Sequence, residues 1–474
     1  MTPIEILSLF TVLVIAFLLR LIPSRVNGYF GSDAFYHVMV ARKARELGRL
    51  PDKDPGLVPE MTRVYPPLLH AILYPFKGAG ERMAMVALSP VLDIVTMLAL
   101  YFLAVKLGVE EPLWPLVLYA VSPMNIIDAA SLNARPLANL SLVLSLGFMY
   151  LYWQDGVLFY LIISALASAG VMLSNKMALQ VLVPCTIALC VVMLWDEPLR
   201  GILVLASLGA GVGIATAATL GGYLRRTLPD HIKFIMVHVR QGGYRTGRTS
   251  VPSPLNLAKS NPLSVLGPLL GLVWVVTVIS TEELQFLLTW SLPVLLLALL
   301  WIWGDSWRYL QFGTIPSVLM ISTVLTGDDV DGAIGIVTLA AITAALAIAT
   351  AVQLRRAVRA DPAAKLIDSM RKLPPEWKAR LNGALVYSNI AHYSVPLELG
   401  AKMFSGNPSS EGMKLYFKTM RMGTTSLRSI SSIAHEALGK DLDYFLIFKG
   451  FKEPTRDGFG VLFESESMAI LVTS

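Results

Sequence analysis

Apolar runs long enough to cross a bilayer recur through the first three quarters of this chain, and they decide its fold class. A spanning helix needs roughly 17–25 residues of mostly apolar character. Such runs lie at 4–22, 83–106, 112–127, 136–153, 157–173, 177–194, 200–220, 263–280, 284–302, 308–325 and 333–353, each bounded by charged residues or by Pro and Gly. Inside hydrocarbon every backbone N–H and C=O must be satisfied within the segment, which for isolated runs of this length means helix. The expected protein is therefore α-helical and polytopic, with about eleven transmembrane helices. Composition agrees: 55% of the 474 residues are hydrophobic and 15% charged, where a soluble domain carries about 25% charged residues.

The N-terminal "MTPIEILSLFTVLVIAFLLRLIP" has no basic n-region and no small-residue cleavage site, so it reads as a retained span. Cys185 and Cys190 fall inside one apolar run, which gives neither a disulfide framework nor a metal spacing. The expected organisation is a membrane domain over 1–355, interrupted by long loops at 23–82 and 221–262, followed by a small soluble α/β domain over 356–474. That last segment alternates apolar runs such as "DLDYFLIFKGF" with Gly, Pro and Asp turns. An odd number of spans puts both long loops on the face of the C-terminal domain. This face holds most of the Lys and Arg of a chain with net charge +6. In a membrane protein, basic loops point to anionic headgroups or phosphorylated ligands before nucleic acid.

Candidate functional residues concentrate in these loops. In "GSDAFYH", Asp33 precedes an amphipathic pattern, where it either caps a helix or stands ready to accept a proton from a substrate hydroxyl. His37 is one helical turn further on, where it either shares the Asp33 face at the site or only packs there. Asp52 and Asp54 in "LPDKDP" are spaced either for a divalent cation or for a Pro-bounded turn. In "YPPLLHAIL", His70 lies about one turn into a Pro-initiated helix, where it contacts a phosphate or packs locally. The second loop carries Arg240, Arg245 and Arg248 around "QGGYRTGR", and Arg forks with Gly-turn amides suit phosphate oxygens as well as lipid headgroups. Arg135 in "SLNARP", Lys176 in "LSNKM" and Arg308 in "WGDSWRYL" sit at span ends on the same face, where they bind a phosphate or snorkel. Within the spans, Asp93 stands out as a charge.

A first span, a loop opening with "GSDAFYH", an amphipathic helix and "YPPLLHAIL" before the second span resemble the GT-C superfamily of membrane glycosyltransferases. More distantly the order is similar to the catalytic subunit of oligosaccharyltransferase. The resemblance covers the whole architecture and is motif-specific over about residues 28–75. It implies a GT-C-like helical domain, a polyprenyl-linked sugar donor, and a glycan, lipid or protein acceptor. By the same resemblance Asp33 is the catalytic carboxylate. No "WWDYG" segment is present, and "SLNARP" stands where oligosaccharyltransferases carry a second acidic cluster. An Arg there opposes a divalent ion, so the expected enzyme works without a cofactor. If it is oligosaccharyltransferase-like instead, Mg or Mn is expected on Asp33, Asp52 and Asp54.

The implied chemistry is an inverting displacement at the anomeric carbon, with Asp33 as general base and fixed cations on the departing phosphate. The competing class, a lipid or solute transporter, would place ionisable residues at mid-membrane depth, whereas here they gather in loops. The expected setting is a multi-pass protein of the plasma membrane, with the catalytic loops and C-terminal domain extracytoplasmic. The Arg355, Arg356 and Arg359 cluster argues for the reverse orientation.

Overall fold

The computed structural model describes residues 2–240, 258–277, 281–300, 306–327, 330–406, 409–422, 426–451 and 453–473. The chain opens with α1 (Pro3–Asn27), α2 (Asp33–Leu47), α3 (Leu68–Leu73) and α4 (Ala79–Lys106). Contacts divide it into two compact units. One comprises 1–26, 86–225 and 241–359; the other comprises 27–85, 226–240 and 360–474.

The first unit is helical, and the protein is an integral membrane protein. Among the described residues of the chain, eight helices are long and apolar enough to cross a bilayer, α1 and α4 among them. Leu158–Ser174 and Pro262–Val276 are apolar but shorter. The run at 112–127 is two helices, Leu113–Ala120 and Pro123–Ala129, because Ser122 is extended and Pro123 cannot carry a helix through from the preceding turn. Small residues let the spans approach closely. A Cβ on Gly170 would lie 2.8 Å from Ser141 Oγ, and one on Gly211 would lie 2.7 Å from Ser168 Cβ. Asp93 does not stand alone. It forms a buried ion pair with Arg20 of α1 and accepts the Tyr119 hydroxyl at 2.7 Å, while Arg20 also donates to the Ala16 carbonyl at 2.9 Å.

The second unit is built on a six-stranded sheet. Its strands are β1 (Leu57–Val58), β2 (Leu385–Ser388), β3 (Lys402–Phe404), β4 (Tyr444–Phe448), β5 (Phe459–Glu464) and β6 (Met468–Thr473), in the order β1-β3-β2-β4-β6-β5. The first four in that order are parallel, and β6 and β5 follow antiparallel. The helix Leu427–Leu438 covers the sheet with Leu427, Ile430, Ile433 and Ala434, the helical spacing that makes one apolar face. It is capped by Ser426, whose side chain accepts from the Arg428 amide. β1 comes from the first long loop: Gly56 and Val58 carbonyls accept from the Met403 and Ser405 amides at 2.8 and 3.1 Å. The loop at 221–262 likewise contributes a helix, Leu228–Arg240, whose Asp230 accepts from the Ser410 amide and hydroxyl.

Candidate active site

Asp33 is the first residue of α2, and its exposed side chain is followed by eight consecutive buried residues, Ala34 to Ala41. The expected amphipathic helix is thus buried all round in its first half, as a helix in a core is, and amphipathic only beyond Ala41. Its acidic tip is held from two sides. The Ser32 hydroxyl accepts from the Tyr393 amide at 3.2 Å, and the Gly31 amide donates to Asp361 at 2.9 Å. Asp361 also accepts from the Ala363 amide at 3.1 Å, so one carboxylate joins this turn to the start of a helix. Ser32, the N-cap of α2, makes no side-chain capping bond, and among the described residues the exposed Asp33 carboxylate enters no hydrogen bond or ion pair, so it is left open to a ligand.

Behind Asp33 lies a set of buried rings. His37 Nδ1 is 3.0 Å from His70 Nε2, and among the described residues His70 Nδ1 has no hydrogen-bond partner. A buried bare lone pair costs less than a buried bare N–H, which assigns the shared proton to His70 Nε2 and leaves His37 protonated on Nε2. Tyr36 donates to Asp54 at 2.7 Å, and the rings of Tyr65 and Tyr393 pack 5.6 and 5.1 Å from it. Burial lowers the His37 pKa to about 4, against the opposing pull of the Asp33 charge. Burial also holds His70 well below its ordinary value, helped by His37 and Arg63.

One further candidate escapes sequence reading. His392 is buried, packs its ring 5.3 Å from Phe35, and is likewise held at about 4 by burial, with the Asp33 charge again pulling it upward. The Ser394 amide donates to its Nδ1 at 3.2 Å, so its proton is on Nε2, which has no partner among the described residues. It is placed by Asn389, whose side chain continues the β2–β4 pairing by accepting from the Phe448 amide at 2.8 Å and donating to its carbonyl at 3.1 Å. Two neutral imidazoles, each with an Nε2 proton, thus accompany one open carboxylate.

The other candidates are placed as follows. Asp54 is buried under Tyr36, whereas Asp52 is exposed and paired with Arg49 at 2.7 Å and Arg226 at 3.3 Å. Among the described residues no three His, Cys, Asp or Glu side chains gather as metal ligands, so Asp33, Asp52 and Asp54 do not fit that role together. Arg135 pairs with Asp128, an acid of the same loop that the sequence reading passed over. Asn133 caps the turn, accepting from the Arg135 amide at 2.8 Å. Lys176 and Arg308 lie on neighbouring elements of the membrane unit, joined where the Tyr309 hydroxyl meets Gln180; the Arg308 guanidinium stacks on Trp307 at 5.6 Å. Arg240 ends its helix, and Arg245 and Arg248 lie outside the described residues.

Neither a protein-family model nor a curated protein matches this sequence. Solved structures do. The oligosaccharyltransferase AglB from Archaeoglobus fulgidus, solved with an inhibitory peptide and a dolichol-phosphate, superposes with a TM-score of 0.62 at 12% identity over 94% of this chain and 70% of its own. ArnT from Cupriavidus metallidurans, solved with undecaprenyl phosphate, gives 0.58 at 13% identity over 99% of this chain and 98% of its own. The fold is GT-C. At these identities the likeness is one of architecture, and it agrees with the resemblance read from "GSDAFYH" and "YPPLLHAIL".

Proposed function

We propose that this GT-C protein is a glycosyltransferase that moves a sugar from a polyprenyl-phosphate-type lipid to an acceptor hydroxyl, with Asp33 as general base. The observation that carries this reading is the open Asp33 carboxylate, pinned at the tip of a buried helix. The acceptor hydroxyl gives its proton to Asp33 as its oxygen attacks the anomeric carbon. The bond from that carbon to the phosphate oxygen breaks, and its electron pair leaves with the lipid phosphate. His37 and His392, neutral and carrying Nε2 protons, position sugar or acceptor oxygens by donating to them. The dolichol-phosphate in AglB and the undecaprenyl phosphate in ArnT support a prenyl-phosphate lipid here.

The reaction needs no metal in this reading, because Asp52 and Asp54 are engaged by arginines and Tyr36. We place it at the outer face of the plasma membrane. Cysteine-accessibility mapping of residues 27–85 in intact cells tests the side, and labelling only in permeabilised cells reverses it.

The test of the chemistry is transfer by purified protein from lipid-phosphate and lipid-diphosphate sugars. Removing a positioned general base costs about a hundred- to ten-thousandfold in rate. Asp33→Asn should lose that much turnover on the lipid-phosphate donor while keeping the wild-type melting profile. Normal turnover in a folded Asp33→Asn protein refutes the assignment. Loss of activity in EDTA with recovery in Mn²⁺ refutes the metal-free route.

A further inference from the structure

The opposite end of α2 carries a second cluster. Arg42 and Arg45 both reach Glu81 in the first turn of α4: Arg42 Nε and Nη2 donate to one carboxylate oxygen at 2.9 and 2.7 Å, and Arg45 donates to the other. Glu81 is only 5% exposed, so it fixes both guanidinium groups side by side. Lys77 and Arg82 complete the lining of an open cavity of about 650 Å³. Its remaining acid, Glu46, is paired with Lys43 at 2.8 Å. Four cations therefore answer to one carboxylate, and among the described residues Lys77 and Arg82 enter no ion pair. An anion relieves the repulsion among them, and Arg forks beside a Lys are phosphate ligands.

We propose that this cavity binds the phosphate of an anionic phospholipid from the surrounding bilayer. α4 is a membrane-crossing helix, and the cavity lies at its N-terminal mouth, where headgroups meet a span. Leu47 of α2, Met83 of α4 and Tyr74 just after α3, all exposed, suit the boundary between headgroup and acyl chain. The occupant is not the donor's phosphate. Arg42 and Arg45 follow Asp33 by nine and twelve residues, which puts them roughly 14–18 Å along the helix axis from it, whereas a departing phosphate must sit beside the carbon under attack.

The experiment uses the full chain in nanodiscs of equal phosphatidylcholine and phosphatidylglycerol, reading retained lipid by native mass spectrometry. The wild type should retain phosphatidylglycerol in preference. Lys77→Ala/Arg82→Ala, which leaves the Glu81 pairs intact, should lower that preference by about tenfold or more, since each basic residue near an anionic surface contributes about 1 kcal/mol. An unchanged preference in a folded double variant overturns the proposal. Displacement of phosphatidylglycerol by millimolar inorganic phosphate shows a free-anion site instead, and displacement by undecaprenyl phosphate alone shows a donor site; either result overturns it. Because lipid retention is read without turnover, it stands or falls apart from the transfer reaction.

Discussion

At the scale of single residues, the candidate site is a contrast between one open carboxylate and the closed groups behind it. Asp33 is exposed, while His37 and His392 are buried and held at about 4. An unfolded histidine titrates near 6.5, so the unfolded chain takes up protons over a range where the folded one does not. Stability contributed by these two groups is therefore complete above about pH 6.5 and falls as pH drops through about 4. The groups facing them are Asp33 for both, with Tyr36, Tyr65 and His70 around His37 and Ser394 beside His392. Thermal unfolding of detergent-purified protein should shift downward steadily over that window. The slope should be shallower in His392→Gln, and equal melting at both ends of the range would mean that the imidazoles are not buried as described. Asp33, His37 and His70 were visible in the sequence because they sit close together in one loop. His392 was not, because "NIAHYSV" carries no motif, and the sheet alone delivers its ring to Phe35.

At the scale of elements, the length of the apolar runs located most of the spanning helices and missed what holds them in register. The Arg20–Asp93 pair is such a case. Arg20 reads as the last polar residue of a first span, and nothing in the pattern says that its partner lies in α4. A buried pair adds little over a well-packed apolar pair, but removing one partner strands a charge and costs about 3–5 kcal/mol. Asp93→Ala should accordingly lower the melting temperature sharply, and Arg20→Met/Asp93→Leu should recover most of the loss. A double variant no better than the single would show that the charges themselves are required. The docking of β1 was equally hidden, since a two-residue strand has no period to read. Its approach depends on Gly56, at φ +70, where a Cβ would lie 2.7 Å from Met39 Sδ and 2.9 Å from Pro396 Cβ. Gly56→Ala should cost about 1–3 kcal/mol through overpacking alone, plus the left-handed strain. Hydrogen exchange checks it: the Met403 and Ser405 amides, which donate to β1, should lose protection first.

At the scale of the whole molecule, composition and the "GSDAFYH" loop were enough to read a polytopic protein of GT-C fold with a small C-terminal α/β domain, and the solved neighbours share the fold. What they did not reveal is that the sheet unit is discontinuous in sequence. Residues 27–85 supply the edge strand and α2, 226–240 supply a helix, and 360–474 supply the other strands. Parallel pairing between segments so far apart leaves no local trace, because each partner reads as a short apolar stretch in its own loop. The consequence is that the C-terminal segment cannot be an appendage that merely selects acceptors. Removing 361–474 takes away the Asp361 clamp on Gly31, the Tyr393 amide that holds Ser32, and the Tyr393 and Leu397 side chains packed against Tyr36, Met39 and Val40. The truncated protein should still enter the membrane, since its spanning helices are intact. It should lose transfer to every acceptor tried, and 27–85 should become sensitive to limited proteolysis. Supplying 361–474 as a separate chain should restore both protection and turnover in part, because the pairing to β1 is non-covalent. If the truncated protein transfers sugar to a simple soluble acceptor at the wild-type rate, Asp33 is positioned by the membrane helices alone, and the two-segment construction of the site is wrong.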